Sequence, residues 1–425
     1  MSELAIVPIC HPLSARVRLP GSKSLTNRAL AVAALADGVT TLTHALFSDD
    51  TLYFAESLSR LGFHVQMDPN TAIVTVIGRG GNIPVKRAEL FVGNAGTAAR
   101  FLAALVTLGA GEYVIDGVER MRQRPIADLL AALNTLGADA RSVNATGCLP
   151  LRVKARGLRG GTAHVAGDTS SQFLSALLLA APYAQSPVSL LVERGLNSKP
   201  YVDMTLAVMA DFGVRVARRG YERFTIRPQH YRACHTYAIE SDASAASYFF
   251  AAPAILGGTV YVENITRRSR QGDVAFLDVL AGMGCSIAEG DDWIAVTGPS
   301  ELRGVDVDLR DMPDTAQTLA AIAPFAGTPT VIRGIASARV KETDRVAALC
   351  AELGRLGVSV CELSDGLVIQ PCRDIQANLV RTYDDHRMAM AFALIGLKVP
   401  GVIIQDPACV SKTFPGYFEV LGQLR

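Results

Sequence analysis

Hydrophobic and polar positions repeat along this chain as one unit: a small-residue break, a β-like run, a polar loop, then a helix ending in an apolar residue plus Gly. The helix-ending pairs are Leu61-Gly62, Leu136-Gly137, Phe212-Gly213, Met283-Gly284, Leu356-Gly357 and Leu421-Gly422. Their spacing of about 65 to 76 residues is longer than the usual solenoid periods. Each Gly stands where a helix C′ residue belongs. Two short β-like runs follow each of the first five, as in VSVCELSDGLVIQP after Gly357. The chain stops at Arg425 after the sixth, whereas LAIVPICHPLSARVRLP near the start reads as a strand pair with no helix before it. The pattern therefore predicts that the N-terminal strands complete the last repeat.

On that reading the chain leaves one domain near Leu19-Pro20-Gly21 and returns near Glu240-Ser241. Residues 1–20 with 241–425 form one domain of three repeats, and residues 21–240 form the other. Two adjacent crossings leave a cleft between lobes, a usual place for a small-molecule site.

Every repeat holds a second helix, rich in Ala and Leu and apolar nearly all round, which is expected to be buried. Its polar openings are GSKSLTNRAL from Gly21, GNAGTAARFL from Gly93, GDTSSQFL from Gly167, SDASAASYF from Ser241, MPDTAQTL from Met312 and YDDHRMAM from Tyr383. Ser, Thr, Asn and Asp satisfy the free N–H groups of a first turn, and those groups together with the helix dipole favour a bound anion. Ordinary capping explains such strings taken singly. It does not explain Lys23, Arg28, Arg100 and Arg387, which sit in or near these starts although cations are unfavourable in a first helical turn. A local rule broken in this way marks a functional site.

Composition narrows the class of function. With 49% hydrophobic and 19% charged residues over 425 positions the chain is expected to fold as two or more domains. Lys plus Arg (41) nearly equals Asp plus Glu (40), so no global field points to nucleic acid or a membrane as partner. The eight cysteines form no CxxC pair and the seven histidines no HxxxH, so neither a metal nor another cofactor is expected. The N-terminus lacks the features of a signal peptide and no run is long enough to span a bilayer, so the expected location is the cytoplasm.

The densest charged cluster is RVKETDR, Arg339 to Arg345, and its equivalents RQRPI, SKPYVD and SKTFPG are basic too. A single such run would be an ordinary solvated loop; four in register need another reason. Together LPGSKSLTNRA, GNAGTAAR, RQRPI, SSQF, NSKPY, MPD, RVKETDR, YDDHRMAM and KTFPGYF resemble, in order and over almost the whole chain, the signature strings of the 5-enolpyruvylshikimate-3-phosphate synthases. The resemblance implies an α/β fold, a two-lobed inside-out barrel in which each lobe has three βαβαββ repeats around buried parallel helices, with the active site in the inter-lobe cleft. It also implies the small-molecule substrates shikimate 3-phosphate and phosphoenolpyruvate, a monomer, and glyphosate as an occupant of the phosphoenolpyruvate site.

Both substrates carry a carboxylate and a phosphate, and Arg forks suit such groups. By similarity, Ser24 and Arg28 hold the shikimate carboxylate, and Ser170, Ser171, Ser198 and Lys341 hold its 3-phosphate. Ser337 stands in the same set where many relatives have an amide. Arg124, Arg345, Arg387 and Lys412, with the backbone at Asn94 and Gly96, hold phosphoenolpyruvate, while Gln172 and Tyr201 border both. Phe101 stands where many relatives have Pro, and the expectation is that it acts on the Asn94–Arg100 segment by packing and lowers glyphosate sensitivity.

Transfer needs a proton on the methylene carbon, attack by a hydroxyl on the adjacent carbon, and loss of phosphate from a tetrahedral intermediate. Asp314 is the expected general base and Glu342, held among Lys341, Asp344 and Arg345, the expected proton donor. Lys23 is expected to neutralise charge on the bridging or leaving oxygen. Plainer readings make Asp314 or Ser170-Ser171 helix caps and Lys412 a surface lysine. Rival functions are a UDP-N-acetylglucosamine enolpyruvyl transferase, disfavoured because VERMRQRPI lacks that family's reactive Cys; an ATP-dependent nucleic-acid end enzyme, disfavoured for want of a P-loop; and a non-catalytic anion-binding scaffold, which could discard Lys23, Asp314 and Glu342.

Overall fold

Alternation of all-apolar and one-sided helices organises the chain. The computed structural model describes residues 2–425, and among them twelve α-helices occur. They are α1 (Lys23–Leu35), α2 (Asp49–Arg60), α3 (Gly96–Leu105), α4 (Ala127–Thr135), α5 (Ser171–Ala180), α6 (Lys199–Asp211), α7 (Ala243–Leu256), α8 (Phe276–Gly282), α9 (Ala316–Ile322), α10 (Arg345–Arg355), α11 (His386–Lys398) and α12 (Tyr417–Gly422). The odd-numbered helices are the Ala- and Leu-rich ones: all ten residues of α3 and all seven of α9 are buried, so these helices keep no face for water. The even-numbered ones, such as α10, bury one side only.

Contacts divide the chain into two units, the residues up to Pro20 with Glu240–Arg425, and Gly21–Ile239. Each has its own apolar core. In the Gly21–Ile239 unit α3 packs on α1 and α5; in the other unit α7, α9 and α11 pack on one another.

Among the described residues each unit carries three small sheets; five of the six have four strands in one pattern, and the sheet of the last repeat has three. In the second repeat Arg87–Phe91 runs parallel to Ala110–Asp116 through the crossover helix α3, and Leu151–Arg156 pairs antiparallel with both Ala110–Asp116 and Asp139–Ser142. The first repeat borrows its parallel strand from the far end of its unit, Thr236–Ala238 beside Asp37–Thr43, which closes the ring of three.

The N-terminal strands depart from expectation. Glu3–Ala5 does join the last repeat, antiparallel to Ile403–Gln405. Leu13–Arg18 instead pairs parallel with Gly258–Glu263 and serves the fourth repeat. The two runs are not a hairpin, and parallel partners 245 residues apart leave no local trace in the hydrophobic pattern.

Gly62, Gly137, Gly213, Gly284 and Gly357 follow their helices with φ between +81° and +106°, the left-handed closure the sequence predicted. Gly422 differs: it is the last residue within α12, whose cap is Gln423.

Candidate active site

In the Gly21–Ile239 unit the predicted residues gather at helix openings. Ser22 caps α1, its hydroxyl accepting from the Leu25 N–H at 3.4 Å, which leaves Lys23 and Ser24 in the first turn. Lys23 Nζ lies 3.5 Å from Asp50 Oδ2, and Asp50 is a buried first-turn acid of α2. Sequence reasoning missed Asp50 because an acid in a first turn is what an ordinary helix start shows.

Arg28, only 2% exposed, donates from Nε to Thr205 Oγ1 at 2.8 Å, from NH1 to the Ser24 carbonyl at 2.9 Å, and from NH2 to the Tyr201 carbonyl at 3.0 Å and Ser175 Oγ at 3.5 Å. All four acceptors are neutral. Burial pulls the guanidinium down to about 10, with Tyr201 opposing that pull.

Arg124 is held by the Asn94 carbonyl at 2.9 Å and the Asn94 side-chain oxygen at 3.1 Å. A Cβ at Gly96 would lie 2.6 Å from Arg124 NH2, so the missing side chain makes the room in which that guanidinium sits. The cap residue of α3 is Ala95, without a side-chain cap, so this opening departs from the expected polar capping. Arg100 donates to the Pro125 carbonyl at 2.7 Å.

Ser170 does cap α5, accepting from the Gln172 N–H at 3.3 Å. A hydroxyl that accepts from the backbone still has its own proton to donate, so capping and anion binding are compatible. Ser171 is buried and Gln172 half-buried beside it. Ser198 opens α6 in the left-handed conformation at φ 56°, and its carbonyl accepts from the Tyr201 N–H at 3.1 Å.

In the other unit one network joins Asp314, Lys341, Glu342, Arg345, Arg387 and Lys412. Asp314 lies in the 3-10 turn Pro313–Thr315 and does not cap α9. Its carboxylate accepts from Lys341 Nζ at 2.5 Å, Arg345 NH1 at 3.1 Å and Arg387 NH2 at 2.9 Å. Burial lowers the Lys341 pKa, with Asp314 opposing that pull.

Arg345 also reaches Glu342 at 2.9 Å and grips Asp385 with two bonds of 2.7 and 3.2 Å. Burial alone would depress it, but Asp385, Glu342 and Asp314 together hold it above its usual range. Glu342 is 3.9 Å from Lys412, which is 7% exposed and so is no surface lysine.

The expected neighbour Asp344 is not part of this network as a Glu342 partner. It caps α10 through the Ala347 N–H and pairs with Arg339 at 3.1 Å. Two residues along, the same loop therefore points one acid inward and the next outward. Ser337 is half-buried in the turn Ala336–Val340. Asp385, which sequence reasoning left out, serves both a helix and a cation, for it caps α11 by accepting from the Arg387 N–H at 2.9 Å and also orients Arg345.

Among the described residues no three His, Cys, Asp or Glu side chains cluster as metal ligands, and no helix is long and apolar enough to cross a membrane.

The arrangement is a set of buried cations and helix openings, with carboxylates that orient the cations. Comparison with known proteins shows the family. A sequence profile described as EPSP synthase (3-phosphoshikimate 1-carboxyvinyltransferase) matches residues 7–421. A 3-phosphoshikimate 1-carboxyvinyltransferase of Trichormus variabilis is 51% identical, with all of both chains aligned, and that of Nostoc punctiforme is 51% identical over all of this chain and 99% of its own. The solved EPSP synthase of Acinetobacter baumannii shares the fold at a TM-score of 0.84 and 23% identity, covering 99% of this chain and 98% of its own. The enolpyruvyl transferase NikO of Streptomyces tendae shares it at 0.79 and 20% identity, with 99% and 97% covered. With full-length relatives at this identity and a profile spanning nearly every residue, the chain belongs to the EPSP synthase family.

Proposed function

We propose how this chain carries out the reaction of its family, the transfer of the enolpyruvyl group of phosphoenolpyruvate to the 5-hydroxyl of shikimate 3-phosphate in the shikimate pathway. The observation that carries the reading is Arg28: a guanidinium 2% exposed and surrounded by neutral acceptors. A buried charge without a counter-charge is unfavourable, and a bound carboxylate relieves it.

Arg28 with Ser24 takes the shikimate carboxylate. Ser170, Ser171, Ser198 and Lys341 take the 3-phosphate, with Ser337 beside them. Arg124, Arg345, Arg387 and Lys412 take the two anionic groups of phosphoenolpyruvate, the openings at Asn94 and Gly96 adding backbone N–H groups. Gln172 and Tyr201 border both ligands.

Glu342 gives a proton to the methylene carbon, and the nearby Arg345 and Lys412 stabilise the carboxylate left behind. The hydroxyl oxygen bonds the adjacent carbon while its proton passes to Asp314, an ion-paired carboxylate and hence an acceptor. The tetrahedral intermediate then loses phosphate: the Glu342 carboxylate takes a proton back from the methyl group as the carbon–carbon double bond re-forms, the departing oxygen leaves with the proton that had passed to Asp314, and Lys23 neutralises its charge. The protein acts in this reading as a cytoplasmic monomer.

The test is phosphate release by the purified protein. Release that needs both shikimate 3-phosphate and phosphoenolpyruvate supports the reading, and release with either alone, or none with both, overturns it.

A further inference from the structure

A buried carboxylate stands on a turn that packs on α7, the helix that also packs on the turn of the proposed base. Asp273, 2% exposed, lies in the 3-10 turn Gly272–Ala275, which packs on α7. There the Ser244 hydroxyl donates to Asp273 Oδ2. Gln271 fixes the approach of the loop: its Oε1 accepts from the Ala243 N–H at 2.9 Å and its Nε2 donates to the Ser241 carbonyl at 2.7 Å. α7 also packs on the turn that carries Asp314 and on α11, which carries Arg387. The charged groups acting on Asp273 are Asp314 from that turn, Arg387 from α11 and Asp242 from the opening of α7. Glu240, in the preceding segment, is engaged by Ser269 and Gln271.

Comparison of repeats shows why the acid is unusual. His44 and Asn264, left-handed at φ 54° and 55°, follow the second strand of the first and fourth repeats. In each repeat an acid then stands two residues past a cap: Asp50 past Ser48, and Asp273 past Gln271. Asp50 faces Lys23, the residue after the α1 cap. The residue after the α7 cap Asp242 is Ala243. The fourth repeat thus keeps the acid where its partner repeat has an acid and a lysine, and a buried carboxylate is a poor choice for packing alone.

Resting on the assignment of Asp314 as the base, we propose that Asp273 is a positioning residue whose charge, held by Ser244, acts on Asp314 and Arg387 and keeps Asp314 basic enough to take the substrate hydroxyl proton. The reasoning is electrostatic. Lys341, Arg345 and Arg387 all favour ionised Asp314, which weakens its hold on a proton, and a nearby negative charge offsets them. Burial and the charge of Asp314 raise Asp273 to about 6, against the opposing pull of Ser244 and Arg387. Asp273 is therefore neutral well below that pH and charged above it, so its influence switches on as pH rises.

The experiment measures kcat against pH for wild type, Asp273→Asn, Ser244→Ala and Asp314→Asn. Asp273→Asn is expected to match wild type within about twofold below about pH 5.5 and to fall about fivefold or more behind it above about pH 7, with the KM for shikimate 3-phosphate changed by less than about twofold. Ser244→Ala removes a donor that favours charged Asp273, so its acid limb moves to higher pH; this variant carries the test if Asp273→Asn does not fold. A wild-type-to-variant ratio that stays constant with pH, or an unmoved limb in Ser244→Ala, overturns the proposal. If Asp314→Asn keeps its turnover, the assignment of the base itself fails. If Asp314→Asn collapses while Asp273→Asn runs parallel to wild type, only the role of Asp273 fails.

Discussion

The guanidinium of Arg28 lies 5.5 Å over the ring of Phe101. Phe101 was expected to act on the start of α3 near Gly96; its ring instead backs the buried arginine and meets Phe54 edge-on at 6.4 Å. A ring face stabilises a desolvated guanidinium by about 0.5–2 kcal/mol. Phe101→Leu should therefore raise the KM for shikimate 3-phosphate about threefold or more while that for phosphoenolpyruvate stays put. Phe101→Pro, measured with glyphosate, separates the two ideas: a selective change in glyphosate inhibition would restore the route through Gly96.

Gly96 and Arg124 make the next prediction. Because a Cβ at Gly96 would come 2.6 Å from Arg124 NH2, Gly96→Ala should displace that guanidinium and raise the KM for phosphoenolpyruvate about tenfold, with little change for shikimate 3-phosphate. Steady-state kinetics with each substrate varied in turn measures this; equal rises in both constants would mean a general distortion of α3.

Asp314 and Arg28 should fail differently. Asp314→Ala is expected to lower turnover by about a hundredfold or more while shikimate 3-phosphate binding stays within about tenfold. Arg28→Ala should chiefly weaken binding. It should also lower Tm, because Thr205, Ser175 and the Tyr201 carbonyl each lose a donor. Calorimetric titration alongside kcat resolves the two patterns.

His386 predicts an acid limit to stability. Its ring is buried with neither nitrogen hydrogen-bonded to a described residue, and burial holds its pKa well below 6.5. The unfolded chain takes up a proton as pH falls through about 6.5 while the folded one does not, so stability drops by up to about 1.4 kcal/mol per pH unit from this group. His386→Gln should flatten that part of the stability curve between about pH 6.5 and 5. Chemical unfolding at several pH values would show it, and an identical slope in the variant would remove His386 from the explanation.

The repeat was legible because it is written in local rules. Leu356 followed by Gly357, with two short runs after them, specifies a helix end, a left-handed turn and a strand pair within about twenty residues. The apolar character of α3 and α9 on every side announced their burial for the same reason, since period and composition are properties of the segment itself. Lys23 and Arg387 stood out because each breaks the preference of a helix start, and that too needs only the neighbouring residues.

What the sequence by itself determined was therefore the segment: where each helix opens and ends, and which openings carry charge against local preference. Tertiary structure decided the pairing. Leu13–Arg18 lies beside Gly258–Glu263, Arg345 takes Asp385 as its closest carboxylate, and Lys23 meets Asp50, all choices made by packing elements distant in sequence. Asp50 and Asp385 look like ordinary first-turn and cap acids until the fold shows which cation each faces. The physical reason is that strand partners and ion pairs are selected by burial and distance in the folded chain, and hydrophobic periodicity carries no record of either.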